Sequence, residues 1–200
     1  MMAKSHIAVG LAAATLVVAP ATFKEVVPLV IGASVGSIIC DLDSKKSNVN
    51  KDAFYGRLIV GIICAVMVVL DVYFGMSVWK SIKAGLDPTL ALGIGIFAAM
   101  IFICSKTNHR GFAHSFVALA IYMYALQFIY VDVMLPFGVA FISHIVLDLF
   151  NKKRVKILWP VKRGFCLGLC YSNRLGNRIA FIAGCCALVL EIAAIQMKLL

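Results

Sequence analysis

The chain has 200 residues, of which 62% are hydrophobic, and it carries a formal net charge of +10 at pH 7. Its mean hydropathy of +0.99 excludes a water-soluble globular protein and predicts one integral membrane domain over residues 1–200. In a membrane protein the basic excess is explained by Lys- and Arg-rich loops and by contact with anionic lipid, so we do not expect a nucleic-acid partner.

Apolar segments follow one another along the chain and predict an all-α, polytopic bundle of about seven membrane helices. The first two, 6–20 and 26–40, are short for a bilayer, so they form either tilted spans or a hairpin that enters the membrane partway. A tight turn is predicted over residues 132–136. The remaining segments are 58–79, 88–105, 113–131, 135–150 and 179–197.

The distribution of positive charge predicts the orientation. If the N-terminus is cytoplasmic and every segment crosses, all but four of the 19 Lys and Arg residues lie on the cytoplasmic side, mostly in basic loops at 44–57 and 151–178. The same topology places all four histidines at the cytoplasmic boundary. A hairpin formed by the first two segments leaves this conclusion unchanged, because both of its ends return to one side.

Histidine and aspartate residues at this boundary predict a metal site. His144 and Asp148 are four residues apart, so they share one helix face and can bind one ion together, or Asp148 can orient His144. Asp41 and Asp43 end the second apolar run, and paired carboxylates suit divalent cations. The alternative is that Asp148 only begins a polar loop and His144 is a packing residue of the bundle.

The segment between the fourth and fifth apolar runs adds further donors. Gly111 permits a turn that would direct both His109 and His114 inward. The planar guanidinium of Arg110 suits a phosphate or carboxylate, although taken alone the residue is more typical of an interfacial anchor. His6 is the weakest individual signal. The predicted metal ligands are His6, Asp41, Asp43, His109, His114, His144 and Asp148.

This mixture of nitrogen and oxygen donors predicts one to three zinc ions, with manganese as the alternative. Such ions generate a nucleophile from water and stabilise anionic oxygens, which is hydrolytic chemistry on phosphate esters. The sequence therefore predicts a membrane-embedded metal-dependent hydrolase with Asp43, His114 and Arg110 as catalytic residues. Its substrate would be a phospholipid or another lipid-linked phosphate, because the site opens at headgroup level.

Two other functions remain open. Metal transport favours ionisable residues across the membrane midplane, where only Asp71 is found. A purely structural membrane protein would leave the clustering of all four histidines unexplained. The oligomeric state is not predicted.

The order of these residues resembles the YdjM family, over nearly the whole chain. The resemblance implies a LexA-regulated, membrane-bound, metal-dependent hydrolase of a bacterial inner membrane, distantly similar to zinc-dependent phospholipase C-like proteins. The residues that carry it are Ser5-His6, Gly36, Cys40-Asp41-Leu42-Asp43, His109-Arg110-Gly111-Phe112-Ala113-His114-Ser115, Ser143-His144-Ile145-Val146-Leu147-Asp148 and Trp159-Pro160.

Three positions depart from the pattern that the resemblance implies. Cys40 stands where the family usually has proline, and Ala113 stands where it usually has threonine. The family has a carboxylate after the Trp-Pro loop, whereas residues 172–178 contain no acidic residue. The first two departures remove no predicted ligand, and the third predicts an altered activity if that carboxylate takes part in catalysis.

Overall fold

The computed structural model describes residues 2–43, 88–107, 110–169 and 174–199, with single helical positions between 58 and 73. These residues form helices and contain no β-sheet, which confirms the predicted all-α class. The six helices that the structure describes from end to end are α1 (Ala3–Val18), α2 (Phe23–Ile38), α3 (Pro88–Lys106), α4 (Phe116–Ile129), α5 (Val131–Leu149) and α6 (Arg174–Leu199). The two short 3-10 helices among the described residues are Ile39–Asp43 and Phe112–His114.

Three of the described helices are long and apolar enough to cross a membrane: α3, α5 and the stretch Leu175–Met197 of α6. The 16 residues of α1 extend about 24 Å at the α-helical rise, which is less than the roughly 30 Å of a bilayer core. The predicted count of seven segments is therefore not supported. The predicted segment 58–79 and the basic loop 44–57 lie, apart from single positions, outside the described residues.

Two boundaries differ from the prediction. The turn predicted at 132–136 is wrong, because the chain reverses at the extended residue Tyr130 and α5 already begins at Val131. Pro136 lies inside this helix, and its ring faces Gly32 of α2. The last helix begins at Arg174, several residues earlier than its apolar run.

Helices α1, α2 and α5 approach one another closely through small residues. A Cβ atom on Gly32 would lie 2.6 Å from the carbonyl oxygen of Val133, and one on Gly36 would overlap the backbone of Phe137. A Cβ atom on Gly10 of α1 would overlap the side chain of Ser37 of α2. Small residues allow membrane helices to pack at backbone distance. This packing brings the beginning of α1, the end of α2 and the end of α5 to one place.

Candidate metal centre

Four separate segments deliver polar side chains to the same end of the bundle. His6 lies near the beginning of α1, Asp41 lies in the 3-10 helix that continues α2, and His114 ends the second 3-10 helix. His144 and Asp148 lie one turn apart near the end of α5, as their spacing predicted. All three histidine side chains are fully buried and Asp148 is nearly so, whereas the Asp41 side chain is 20% exposed.

The donor atoms of these side chains lie close to one another. Oδ1 of Asp41 lies 3.7 Å from Nε2 of both His114 and His144. Oδ1 of Asp148 lies 3.8 Å from Nε2 of His6, and its Oδ2 lies 3.7 Å from Nε2 of His114. These separations are too long for hydrogen bonds between those atoms. They are close to the spacing of about 3.3–3.4 Å between two ligand atoms that bind one tetrahedral zinc ion.

The donors form two overlapping groups, each able to hold one ion. The first group is His6, Asp41 and His144, and the second is His114, His144 and Asp148. Within each group one donor atom per residue lies within 4.8 Å of the others. Because His144 belongs to both groups, the arrangement suits either one ion or two neighbouring ions that share the cluster.

A backbone carbonyl group of α2 fixes the orientation of the His144 ring. Its Nδ1 lies 2.6 Å from the carbonyl oxygen of Ser37 in α2. A carbonyl oxygen can only accept, so Nδ1 carries the hydrogen and Nε2 presents its lone pair to the cluster. A backbone carbonyl that fixes the tautomer in this way is a common feature of histidine metal ligands.

His6 is a buried histidine whose polar atoms are not satisfied by the described protein. Neither of its ring nitrogens has a hydrogen-bond partner among the described residues. Its ring stacks on that of His144 with a centroid distance of 3.8 Å. Two stacked imidazolium ions would repel each other, and a buried nitrogen without a partner costs about 1–3 kcal/mol. An ion bound by His6 would remove this cost.

The cluster has an excess of negative charge. Burial by itself raises the pKa of Asp41, but the adjacent His144, His114 and His6 outweigh it and hold the pKa of that carboxyl well below its ordinary value. Arg110 is the cation in direct contact with Asp148. Arg110 contacts only one of the two carboxylates, so the cluster favours a bound cation beside Asp41.

Arg110 connects Asp148 to the loop that follows α5. Its Nη2 lies 3.1 Å from Oδ2 of Asp148, and its Nη1 donates to the carbonyl oxygen of Lys153 at 2.8 Å. The residue has a positive φ of 63° and is only 7% exposed. This geometry directs the guanidinium to a buried carboxylate of the protein. Its role in holding the phosphate of a substrate stays a prediction.

Two predicted ligands are not described at side-chain level. His109 lies outside the described residues, and Asp43 is described only as the last backbone position of its 3-10 helix. The other predicted ligands, His6, Asp41, His114, His144 and Asp148, come together as the sequence predicted.

Sequence reasoning missed the residues that bring these ligands together. Gly32 and Gly36 have the four-residue spacing typical of close membrane-helix contacts, which is a signal that the sequence already contains. The role of the Ser37 carbonyl had no sequence signal, because any residue supplies a carbonyl. Ser115 of the family motif is the N-cap of α4, where its hydroxyl accepts a hydrogen bond from the backbone N–H of Ala118.

The comparison with protein-family models identifies one family. The model described as YdjM inner membrane protein matches residues 1–199. The chain belongs to the YdjM family. No curated protein matches the chain. No solved structure matches it either, and a similarity to phospholipase C-like proteins is not confirmed.

The departures of this YdjM chain from its expected motifs do not alter the described ligands. Cys40 and Ala113 are both 1% exposed and pack in the apolar cluster that contains Tyr122. Each is next to a ligand in sequence, yet each faces this cluster. The donor set of imidazole nitrogen and carboxylate oxygen fits zinc or manganese.

Proposed function

We propose that this YdjM protein is a metal-dependent hydrolase embedded in a bacterial inner membrane, which cleaves a phosphate ester of a phospholipid or a lipid-linked substrate at the cytoplasmic face. The observation that carries the proposal is the convergence of donor atoms from His6, His114 and His144 with those of Asp41 and Asp148, in groups whose atoms lie within 4.8 Å of one another. The buried imidazole of His6, which has no hydrogen-bond partner among the described residues, and the two carboxylates both favour a divalent cation there.

The residues divide into groups with different tasks. His6, Asp41, His114, His144 and Asp148 bind one or more ions, with Asp43 and His109 as further proposed ligands. A divalent ion in such a site supplies a nucleophile from water at neutral pH and stabilises charge on phosphoryl oxygens. Asp43 and His114 remain the proposed catalytic residues. We assign Arg110 the task of holding Asp148 in place, because its guanidinium is engaged there.

The substrate class follows from the position of the cluster. His144 and Asp148 lie at the end of a helix long enough to span the bilayer, which is the level of phospholipid headgroups. The Asp41 side chain is the most exposed of the described donors, and it marks the direction from which a phosphate would approach. In the predicted topology most Lys and Arg residues lie on the same side of the membrane as the cluster, which supports the cytoplasmic orientation.

The first experiment measures the metal content of the purified, detergent-solubilised protein by elemental mass spectrometry. Wild type is expected to contain stoichiometric zinc or manganese, and the double variant His144→Ala, Asp148→Ala is expected to lose it. The matched control is Asp132→Asn, which removes an exposed carboxylate from the other end of the same helix. A monodisperse wild type without metal, even after incubation with zinc or manganese, would contradict the site.

A second experiment separates hydrolysis from metal storage. The metal-loaded protein is incubated with radiolabelled phospholipids in mixed micelles, and release of a phosphorylated headgroup or of phosphate is measured. Turnover that disappears in Asp148→Asn but persists in Asp132→Asn supports the hydrolase.

A metal-binding protein without enzymatic activity is the second candidate. The complete burial of the three histidine side chains favours it, because a saturated, water-excluding site holds a metal without an open coordination position. Stoichiometric metal together with no turnover on any phospholipid class would select this candidate.

A further inference from the structure

The loop that connects α5 to α6 is folded against the metal centre. Val155 and Phe165 form an antiparallel bridge. The N–H of Val155 donates to the carbonyl oxygen of Phe165 with an N···O distance of 2.8 Å, and the N–H of Phe165 donates to the carbonyl oxygen of Val155 at 2.9 Å. The side chain of Val155 is fully buried, and the N–H of Leu167 donates to the carbonyl oxygen of Leu149 at 2.7 Å. Residues 151–169, which we call the basic hairpin, therefore have a defined shape.

The basic hairpin is fixed to the segment that carries His114. The backbone N–H of Lys156 donates to the carbonyl oxygen of Arg110 at 3.1 Å. The backbone N–H of Phe116 donates to the carbonyl oxygen of Ile157, also at 3.1 Å. The Trp159 ring packs edge-on against Phe112, with ring centroids 5.0 Å apart. The hairpin thus lies beside the metal centre, between two helices long enough to span the membrane.

Every charged residue of the basic hairpin is positive, and each of these side chains is exposed. No described carboxylate forms a salt bridge with Lys153, Arg154, Lys156, Lys162 or Arg163. A surface with this many exposed cationic side chains attracts an anionic partner such as an anionic bilayer. The basic residues are Lys152, Lys153, Arg154, Lys156, Lys162 and Arg163.

The same surface also exposes apolar side chains. Leu167 and Leu169 are 59% and 72% exposed, and Trp159 is 41% exposed. Exposed leucine and tryptophan side chains beside basic residues are unfavourable in water but match the interface of a bilayer, where apolar parts reach the acyl boundary and ammonium groups meet phosphates. A nucleic acid or an acidic protein would satisfy the charge and leave the leucines in water.

We propose that the basic hairpin is an interfacial binding element that gathers anionic phospholipids around the mouth of the metal centre. The lysine and arginine side chains hold the phosphates of the headgroups, while Trp159 and the exposed leucines lie at the acyl boundary. This inference rests on the hairpin itself and does not require that the metal centre hydrolyses anything.

The chain provides its own probe for a test, because Trp159 is one of only two tryptophans. A Trp79→Phe protein is reconstituted into phosphatidylcholine vesicles containing a fixed fraction of phosphatidylglycerol. The acyl chains are brominated near the headgroup on only one of the two lipids at a time, at equal bromine content. We expect Trp159 fluorescence to be quenched, and quenched more strongly when bromine is on phosphatidylglycerol.

The charge dependence is tested with Lys162→Gln, Arg163→Gln in the Trp79→Phe background. We expect this variant to lose the preference for brominated phosphatidylglycerol by at least about fivefold, the equivalent of one basic residue at an anionic surface. The matched control, Lys24→Gln, Lys106→Gln, removes the same charge from exposed positions outside the hairpin and should keep the preference.

Two results would overturn the inference. Equal quenching by both brominated lipids would show insertion without recognition of the anionic headgroup. Quenching by aqueous iodide with none by either lipid would place Trp159 in water and direct attention to a protein partner. Metal content measured on the same preparations keeps the outcome separate from that of the proposed hydrolase, because the fluorescence readout is independent of a bound ion.

Discussion

Helices α5 and α6 are both long and apolar enough to span a membrane, but their surroundings differ. Helix α5 contacts α1, α2 and α4, and its His144 and Asp148 have partners from other segments. Among the described elements α6 contacts mainly α1, and it exposes large apolar residues such as Leu190 and Met197. Length and hydropathy thus identify a span, whereas buried polar residues with partners distinguish a helix that carries a site from one that faces lipid.

The largest difference is expected between the acidic residues of these two helices. Asp148→Asn removes a charge that contacts Arg110, and breaking a buried pair costs about 3–5 kcal/mol. A chelator is expected to lower the thermal unfolding temperature of wild type but not of this variant. Glu191→Gln in α6 should respond to chelator as wild type does, and a chelator-insensitive wild type would contradict the comparison.

Truncation of an apolar side chain should also destabilise the protein more in α5 than in α6. Phe141 of α5 is fully buried among aromatic residues, so Phe141→Ala is expected to destabilise the protein by about 3–5 kcal/mol. Leu190 of α6 is 70% exposed, so Leu190→Ala should change stability far less. Unfolding in detergent mixtures, followed by circular dichroism, measures both. Similar losses for the two variants would indicate that α6 is covered by a partner.

Removing the group that holds Asp148 should weaken the site without abolishing it. Arg110→Gln loses the contact with Asp148, and loss of an outer-shell partner typically costs about 10–100-fold in metal affinity. Zinc competition against a chromogenic chelator measures the change. Arg178→Gln, which alters an exposed arginine of α6, serves as the control and should bind zinc like wild type. An unchanged affinity in Arg110→Gln would remove the positioning role.

The smallest expected effect concerns the spacing of α5 and α2. A methyl group at Gly36 would overlap the backbone of Phe137, so Gly36→Ala is expected to cost about 1–3 kcal/mol and to move Asp41 away from His144. Gly95→Ala in α3 meets no atom within 4 Å and should be neutral or slightly stabilising. Equal behaviour of the two variants would show that the glycine contact is not what brings the ligands together.

Much of the candidate site could be predicted from the sequence. The i, i+4 spacing of His144 and Asp148 is a local property of a helix, and it was confirmed. The pairing of Asp148 with Arg110 could not be predicted, because the two residues are far apart in sequence and either could have faced solvent or substrate. The sequence also indicated the role of His6 only weakly, because the burial of this residue depends on how α1 packs.

The sequence by itself determined that the chain is helical and membrane-bound, because the transfer of apolar side chains from water to lipid depends on local composition. It also determined which residue types could bind a metal. Only the tertiary structure decided which of them meet, where α5 begins and how the basic hairpin folds. Those outcomes depend on backbone contacts at Gly32 and Gly36, on the carbonyl oxygens of Ser37 and Lys153, and on a buried ion pair. Such interactions join distant segments and have no local periodicity by which to recognise them.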